Sequence, residues 1–465
     1  MDRRTFLTST AHAALLAGAQ SRPLLARTPA TPLRLALTNA RCFLDGAWQH
    51  TTVGITTRGT LALGVRVPPD VRTIDVAGRV VSPGFIDILA DNSTQPRLTY
   101  RTFEKFKVTD GVTTALQMHG GSDRVASFHR YFDARPHRVN YGVSTFVMAL
   151  HWRFRDPRER VRAAERNLDE GALGISHSLE YLPTPYEDVL AYAGLAARYD
   201  RPLVLHLRHS SYLEELAGVD EAIQLARDSG ARVHIAHLHS TGGTWQMTEA
   251  LERIRRANAE GQRVTCCVYP YSYWATYLSS RRFDDGWRDR YGLDYGDLRL
   301  VGTGERLTAI TFERYRRLGR LVAVPEGTIP LERTVDLALR EEFCMIGSDG
   351  GIQFEPRSNS HPRGAGCFAT AVRHGLRIGM PLDEILAKVT TAPRQLVAPV
   401  MQDRGVLADG ARADLVVFDP ETIDGRASVD NPNQPSRGIA LVLTNGRIAA
   451  QDGTLGAEAG VAIRY

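Results

Sequence analysis

Two histidines, His206 and His237, each close a short apolar run, in the segments PLVLH and VHIAH. A strand that buries Val, Leu and Ile and then presents a His at its C-terminal end, twice in succession, is how a βα barrel brings imidazoles to one mouth. Asp349 closes another such run, inside a Ser-Asp-Gly turn. A lone buried His more often hydrogen-bonds a neighbour than binds a ligand, but imidazoles closing consecutive strands converge in space. Neutral imidazoles with a carboxylate favour zinc or a similar divalent ion. Such an ion lowers the pKa of a bound water to about 7 and polarises a carbonyl, while a nearby carboxylate takes the proton and hands it to a leaving amine. Hydrolysis of an amide or a cyclic amide follows from that arrangement.

The elements that must position these groups can be counted. Apolar runs at 84–89, 111–118, 141–149, 172–177, 202–206, 233–237, 264–269 and 344–349 alternate with helical stretches. Eight is the number a closed (β/α)8 barrel requires. In TEALERIRRANAEG, Leu251 and Ile254 lie three apart with charges opposite, and Gly261 stops the run, as in a helix covering a barrel. The strand ends are polar: Asp91, His119, His151, His177, His206, His237, Tyr271 and Asp349. From 33 to 80, and again from 402 to 465, short β-like runs alternate with Gly and Pro. The predicted fold is therefore an α/β chain: a (β/α)8 TIM barrel over 81–401, inserted into a small β-sandwich domain built from both chain ends. A polar, poorly periodic stretch around 280–330 reads as an insertion over the barrel mouth.

Composition excludes other classes. The 465 residues are 43% hydrophobic and 23% charged, which is globular material rather than a disordered chain. The formal charge of +5 is not gathered into a basic block or an arginine stripe, so no nucleic-acid surface is expected. Five cysteines without a CxxC indicate neither a disulfide framework nor a thiolate zinc site. Arg3-Arg4-Thr5-Phe6-Leu7, followed by AHAALLAGA, resembles a twin-arginine export signal over 1–26, with cleavage after Ala19 or Ala26. A periplasmic or secreted protein is the expectation, and no later segment approaches the roughly 18 apolar residues of a membrane helix.

Several segments together resemble the amidohydrolase superfamily and, within it, the N-acyl-D-amino-acid deacylases. They are VVSPGFID at 80–87, DGVTT at 110–114, GALGISHSLEY at 171–181, HLR at 206–208, IAHLHSTGG at 235–243, VYPYSY at 268–273, IGSDGG at 346–351, SHPRGAG at 360–366 and the tail DRGVLADGARADLVVFDP at 403–420. The resemblance implies a metal-dependent barrel beside a β-sandwich, hydrolysing N-acyl amino acids, D enantiomers first. It also implies that Arg363, Tyr271 and Arg208 meet the substrate. This chain departs from the family where PGFID should lead into an HxH metal pair, since Leu89-Ala90-Asp91 stands there. The bridging Cys position falls on Gly120, beside His119, and His239 replaces a Lys. Leu89 offers no lone pair and Asp91 alone makes a poor site. The expected centre is therefore one zinc held by His206, His237 and His119, with Asp349 as general base and acid; His177 and Asp91 are further candidate ligands. The lost HxH also keeps open a barrel that only binds, or one that cyclises or isomerises, because fold does not fix function.

Overall fold

A computed structural model describes residues 28–90, 96–324, 327–350 and 362–465. The export segment and Asp91 lie outside the described residues. The eight expected runs form one eight-stranded parallel sheet: Phe85–Asp87, Val112–Ser122, Asn140–Phe146, Ile175–Ser178, Pro202–His206, Arg232–Ile235, Arg263–Val268 and Cys344–Ile346, paired in that order. The third strand is shorter than the sequence suggests. Val147–Arg153 turns helical, which moves His151 from a strand end onto a helix.

Each strand feeds a helix that covers the barrel. Met247–Ala259 buries Leu251 and Ile254 against the wall, and Glu215–Ser229 ends at Gly230, whose φ of +69° supplies the left-handed turn a helix C-terminus favours. The lumen is apolar: Ile86, Leu89, Leu116, Met118, Val204 and Met345 pack together inside it. Between the first and eighth strands, side chains complete the closure. Ser348 donates its backbone N–H to Asp87 Oδ1 at 3.1 Å and its hydroxyl to Asp87 Oδ2 at 2.6 Å. The buried Lys107 ammonium lies 2.7 Å from Asp87 Oδ2 and 2.8 Å from the Ser348 hydroxyl.

Both chain ends build the small β domain as expected. Eight of its nine strands form one hydrogen-bonded path and the ninth, Arg72–Asp75, pairs in parallel with Leu33–Leu44 beside it; the sheet curls over a core that includes Leu37, Val53, Val81 and Leu443. The period of two is visible in Leu415–Phe418, where Leu415 and Val417 enter that core and Val416 and Phe418 pack on the barrel side. Polar contacts weld the two units, with Asn140 donating to Asp414 at 2.9 Å and accepting from Asn445 at 2.8 Å. The last residues leave the domain: Ala462 bridges to Tyr141 and Ile463 joins the lumen cluster.

The insertion begins at Ala275 and has its own core, which its polar composition hides. Strands Ala275–Tyr277, Arg299–Leu300 and Leu321–Ala323 form a small antiparallel sheet. Trp274, Phe283, Trp287, Phe312 and Val322 pack beneath it. Among the described residues no helix is long and apolar enough to cross a membrane.

Candidate metal centre

The second, fifth and sixth barrel strands bring His119, His206 and His237 to one point, and all three are buried. His237 Nε2 lies 3.1 Å from His206 Nδ1 and 3.3 Å from His119 Nε2. The outer nitrogen of each ring is occupied. His206 Nε2 lies 2.7 Å from a Glu180 carboxylate oxygen, and His119 Nδ1 2.9 Å from Asp349 Oδ1. His237 Nδ1 lies 3.1 Å from the Ser240 hydroxyl, which itself donates to the His237 carbonyl. These acceptors assign the ring protons to the outer nitrogens. Three lone pairs therefore face one another with no donor between them, an arrangement that a cation resolves. The two spacings to His237 match the edge of about 3.3 Å that imidazoles make around a tetrahedral zinc with bonds of about 2.0–2.1 Å, and all three ligand atoms lie within 4.8 Å of one another.

Electrostatics agree with neutral ligands. Burial holds the His206 and His237 imidazoles below their usual value, His237 well below it. Burial would push Asp349 upward, but Arg363, His237 and His119 around it keep its carboxyl well below the usual range. Arg363 Nη1 lies 3.0 Å from Asp349 Oδ2, and its guanidinium sits 4.3 Å over the Tyr269 ring. Glu180, despite its burial, is held at about 2 by Arg282 and then by His206. Two backbone conformations mark the site. His237 has φ +33° and Asp349 φ +48°, left-handed values that cost a non-glycine residue about 1–2 kcal/mol. Asp349 is held from both sides, since the Ser348 hydroxyl contacts Asp87 and also accepts from the Gly350 N–H at 3.1 Å.

The cluster opens into a cleft of about 490 Å³ that reaches His119, His206, His237, Asp349 and Arg363 together. A larger groove of about 640 Å³ between two outer helices is lined by surface charges such as Asp220 and Arg253, already paired, and gathers no metal-ligating set.

The remaining candidates lie elsewhere. His177 donates to or accepts from Thr184 Oγ1 at 2.7 Å; on its strand Ser178 lines the cleft, so alternation turns His177 away. Arg208 does not line the cleft but grips Glu221 through two nitrogens, at 2.8 and 2.6 Å. Tyr271 stands one step behind Tyr269, which takes the wall position, and its hydroxyl reaches the Pro362 carbonyl at 3.5 Å. Three contributors escaped sequence reasoning: Glu180, Ser240 and Arg282. Glu180 and Ser240 each follow a strand end by two to five residues in segments already singled out, whereas Arg282 comes from the insertion and has no local signal.

The chain matches the amidohydrolase family profile over residues 80–449. N-acyl-D-glutamate deacylase of Alcaligenes xylosoxydans xylosoxydans is 29% identical over 450 residues, covering 87% of this chain and 90% of the relative. D-aminoacylase of the same organism is 30% identical over 425 residues, covering 80% and 84%. The crystal structure of N-acyl-D-glutamate deacylase from Bordetella bronchiseptica, complexed with zinc and a phosphonate mimic of the tetrahedral intermediate, shares the fold with a TM-score of 0.76. It is 23% identical and covers 93% of this chain and 100% of that one. By the extent of these matches, the chain belongs to the amidohydrolase family, in its D-aminoacylase branch.

Proposed function

We propose that this chain is a zinc-dependent hydrolase that breaks the amide C–N bond of N-acyl-D-amino acids, releasing a carboxylate and the free amino acid. One ion is held by His119, His206 and His237. The observation that carries this reading is the convergence of three buried, lone-pair-bearing imidazole nitrogens at 3.1 and 3.3 Å, each backed by an outer hydrogen bond. Outer partners of this kind orient ligands and raise their basicity. The relatives, named for N-acyl-D-amino acids, support the substrate class, and a solved neighbour complexed with zinc supports the metal.

When bound, zinc supplies an acidified water and polarises the acyl carbonyl. The chain's own groups do the rest. Asp349 is ionised and lies against His119, placed to accept a proton and to return it to the departing amine nitrogen. Arg363 fixes that carboxylate through Oδ2. Where a second ion would need the HxH pair, Leu89 packs into the apolar lumen instead, which supports a reading of one ion per chain.

Steady-state assays on N-acetyl-D- and N-acetyl-L-amino acid pairs test the reading, using protein loaded with one zinc. Turnover of the D series with release of free amine is expected; inactivity on both series would overturn it. The twin-arginine segment leads us to propose export to the periplasm as well. Replacing Arg3 and Arg4 with lysines should then leave the protein in the cytoplasmic fraction, and unchanged fractionation would contradict export.

A further inference from the structure

The cleft supplies two guanidinium groups among its described lining residues, and each already faces an internal carboxylate. Arg363 meets Asp349 at 3.0 Å. Arg282 sets Nε 2.9 Å from Glu180 and donates from Nη2 to the Ser240 carbonyl at 2.9 Å, while its guanidinium lies 4.7 Å over the Trp274 ring. Glu180 is gripped in turn by His206 at 2.7 Å and by the Ser210 hydroxyl. Much of the remaining wall is apolar. Phe146, Met148 and Trp152 come from the third strand and its helix, Trp274 from the residue just before the insertion, and Tyr277 and Leu321 from the insertion.

We propose that Glu180 is a specificity-determining residue: by neutralising Arg282 it restricts the cleft to N-acyl amino acids with an apolar side chain and turns away those carrying a second carboxylate. This rests on the hydrolase reading above and adds the side-chain class to it. A second carboxylate would be stripped of water in a cleft whose Arg282 is already charge-balanced by Glu180, which stands behind that guanidinium rather than on the wall. Losing that hydration with no free cation to replace it is costly, and the negative field of Glu180 is stronger in such surroundings than in water. An apolar side chain meets the opposite balance, since each buried methylene is worth about a factor of four in affinity. The carboxylate that orients His206 thus also sets the charge the cleft accepts. An N-acyl-D-glutamate deacylase relative at 29% identity does not, on this geometry, fix the side chain that this chain selects.

The test uses the zinc-loaded full-length protein, with steady-state kinetics on N-acetyl-D-leucine and N-acetyl-D-glutamate and calorimetry of D-leucine and D-glutamate binding. The wild-type protein should favour leucine over glutamate by about 100-fold in kcat/KM, and D-leucine should bind at least about 10-fold more tightly. Glu180→Gln keeps an amide oxygen for His206 and should narrow both ratios by about 10-fold, through a gain on the glutamate side. Met148→Ala, which leaves the Glu180 network intact, should weaken D-leucine binding by about 3- to 10-fold and leave D-glutamate unchanged. Absence of turnover on every substrate would sink the hydrolase reading, while the binding ratio still decides this one. Equal binding of the two amino acids, including no binding of either, would overturn the proposal. So would ratios that stay put in a zinc-replete Glu180→Gln protein.

Discussion

Asp349 is bound by its neighbours into two tasks at once. One carboxylate oxygen orients His119 and the other meets Arg363. Substituting Asn preserves an acceptor for the His119 ring while removing the base. Asp349→Asn should therefore keep its zinc and lose about 10²- to 10⁴-fold in kcat. Metal analysis beside steady-state kinetics checks both halves, and full activity in the variant would remove Asp349 from the proton path. His206 and His237 were legible in sequence because an apolar strand ended on each, and His119 because it stood beside the position of a family ligand. Glu180 and Arg282 were not, since their partnership spans 102 residues and depends on how the insertion folds back. Arg208 misled for a related reason: it follows the metal-site strand, but Glu221 one helix later claims it.

At the scale of elements, the join between the first and eighth strands concentrates the barrel's exposure to mutation. Lys107 and Asp87 are both fully buried and paired at 2.7 Å, and Ser348 links them to the backbone that carries Asp349. Lys107→Met leaves a buried carboxylate without its cation and should cost about 3–5 kcal/mol. Ser348→Ala keeps the ion pair and should cost about 1–3 kcal/mol. Urea unfolding of the two variants gives the comparison; a Lys107→Met protein as stable as the parent would show that this join is not under load. The eight barrel strands could be counted from sequence because each is a buried parallel strand bounded by helix-period segments. The insertion could not, since its strands are only two or three residues long and its core draws on scattered aromatics such as Trp274 and Phe312.

Across the whole molecule, burial of neutral imidazoles sets a pH limit. His129 is held at about 4, His177 at about 3 and His234 at about 3, in each case chiefly by desolvation. Their unfolded value is about 6.5, so below that pH the unfolded chain binds protons that the folded chain refuses. Stability should thus fall as pH drops from about 6.5 toward 4, by up to about 1.4 kcal/mol per unit for each ring. Denaturant unfolding at pH 7 and pH 5 measures this, and equal stability would contradict the burial. Zinc adds its own increment: at 100-fold excess over its Kd the bound ion contributes about 2.7 kcal/mol, so a chelator should lower the thermal midpoint. The two-unit architecture was readable from matching β texture at both ends, but the crossing of the final residues beneath the barrel was not, because Ile463 belongs to no periodic run. The central claim is the three-histidine centre, and zinc content per chain tests it most directly. Protein purified without added metal should carry about one zinc, and the His119→Ala variant should retain almost none after dialysis; two ions per chain, none in the parent, or an unaltered content in the variant would contradict the account.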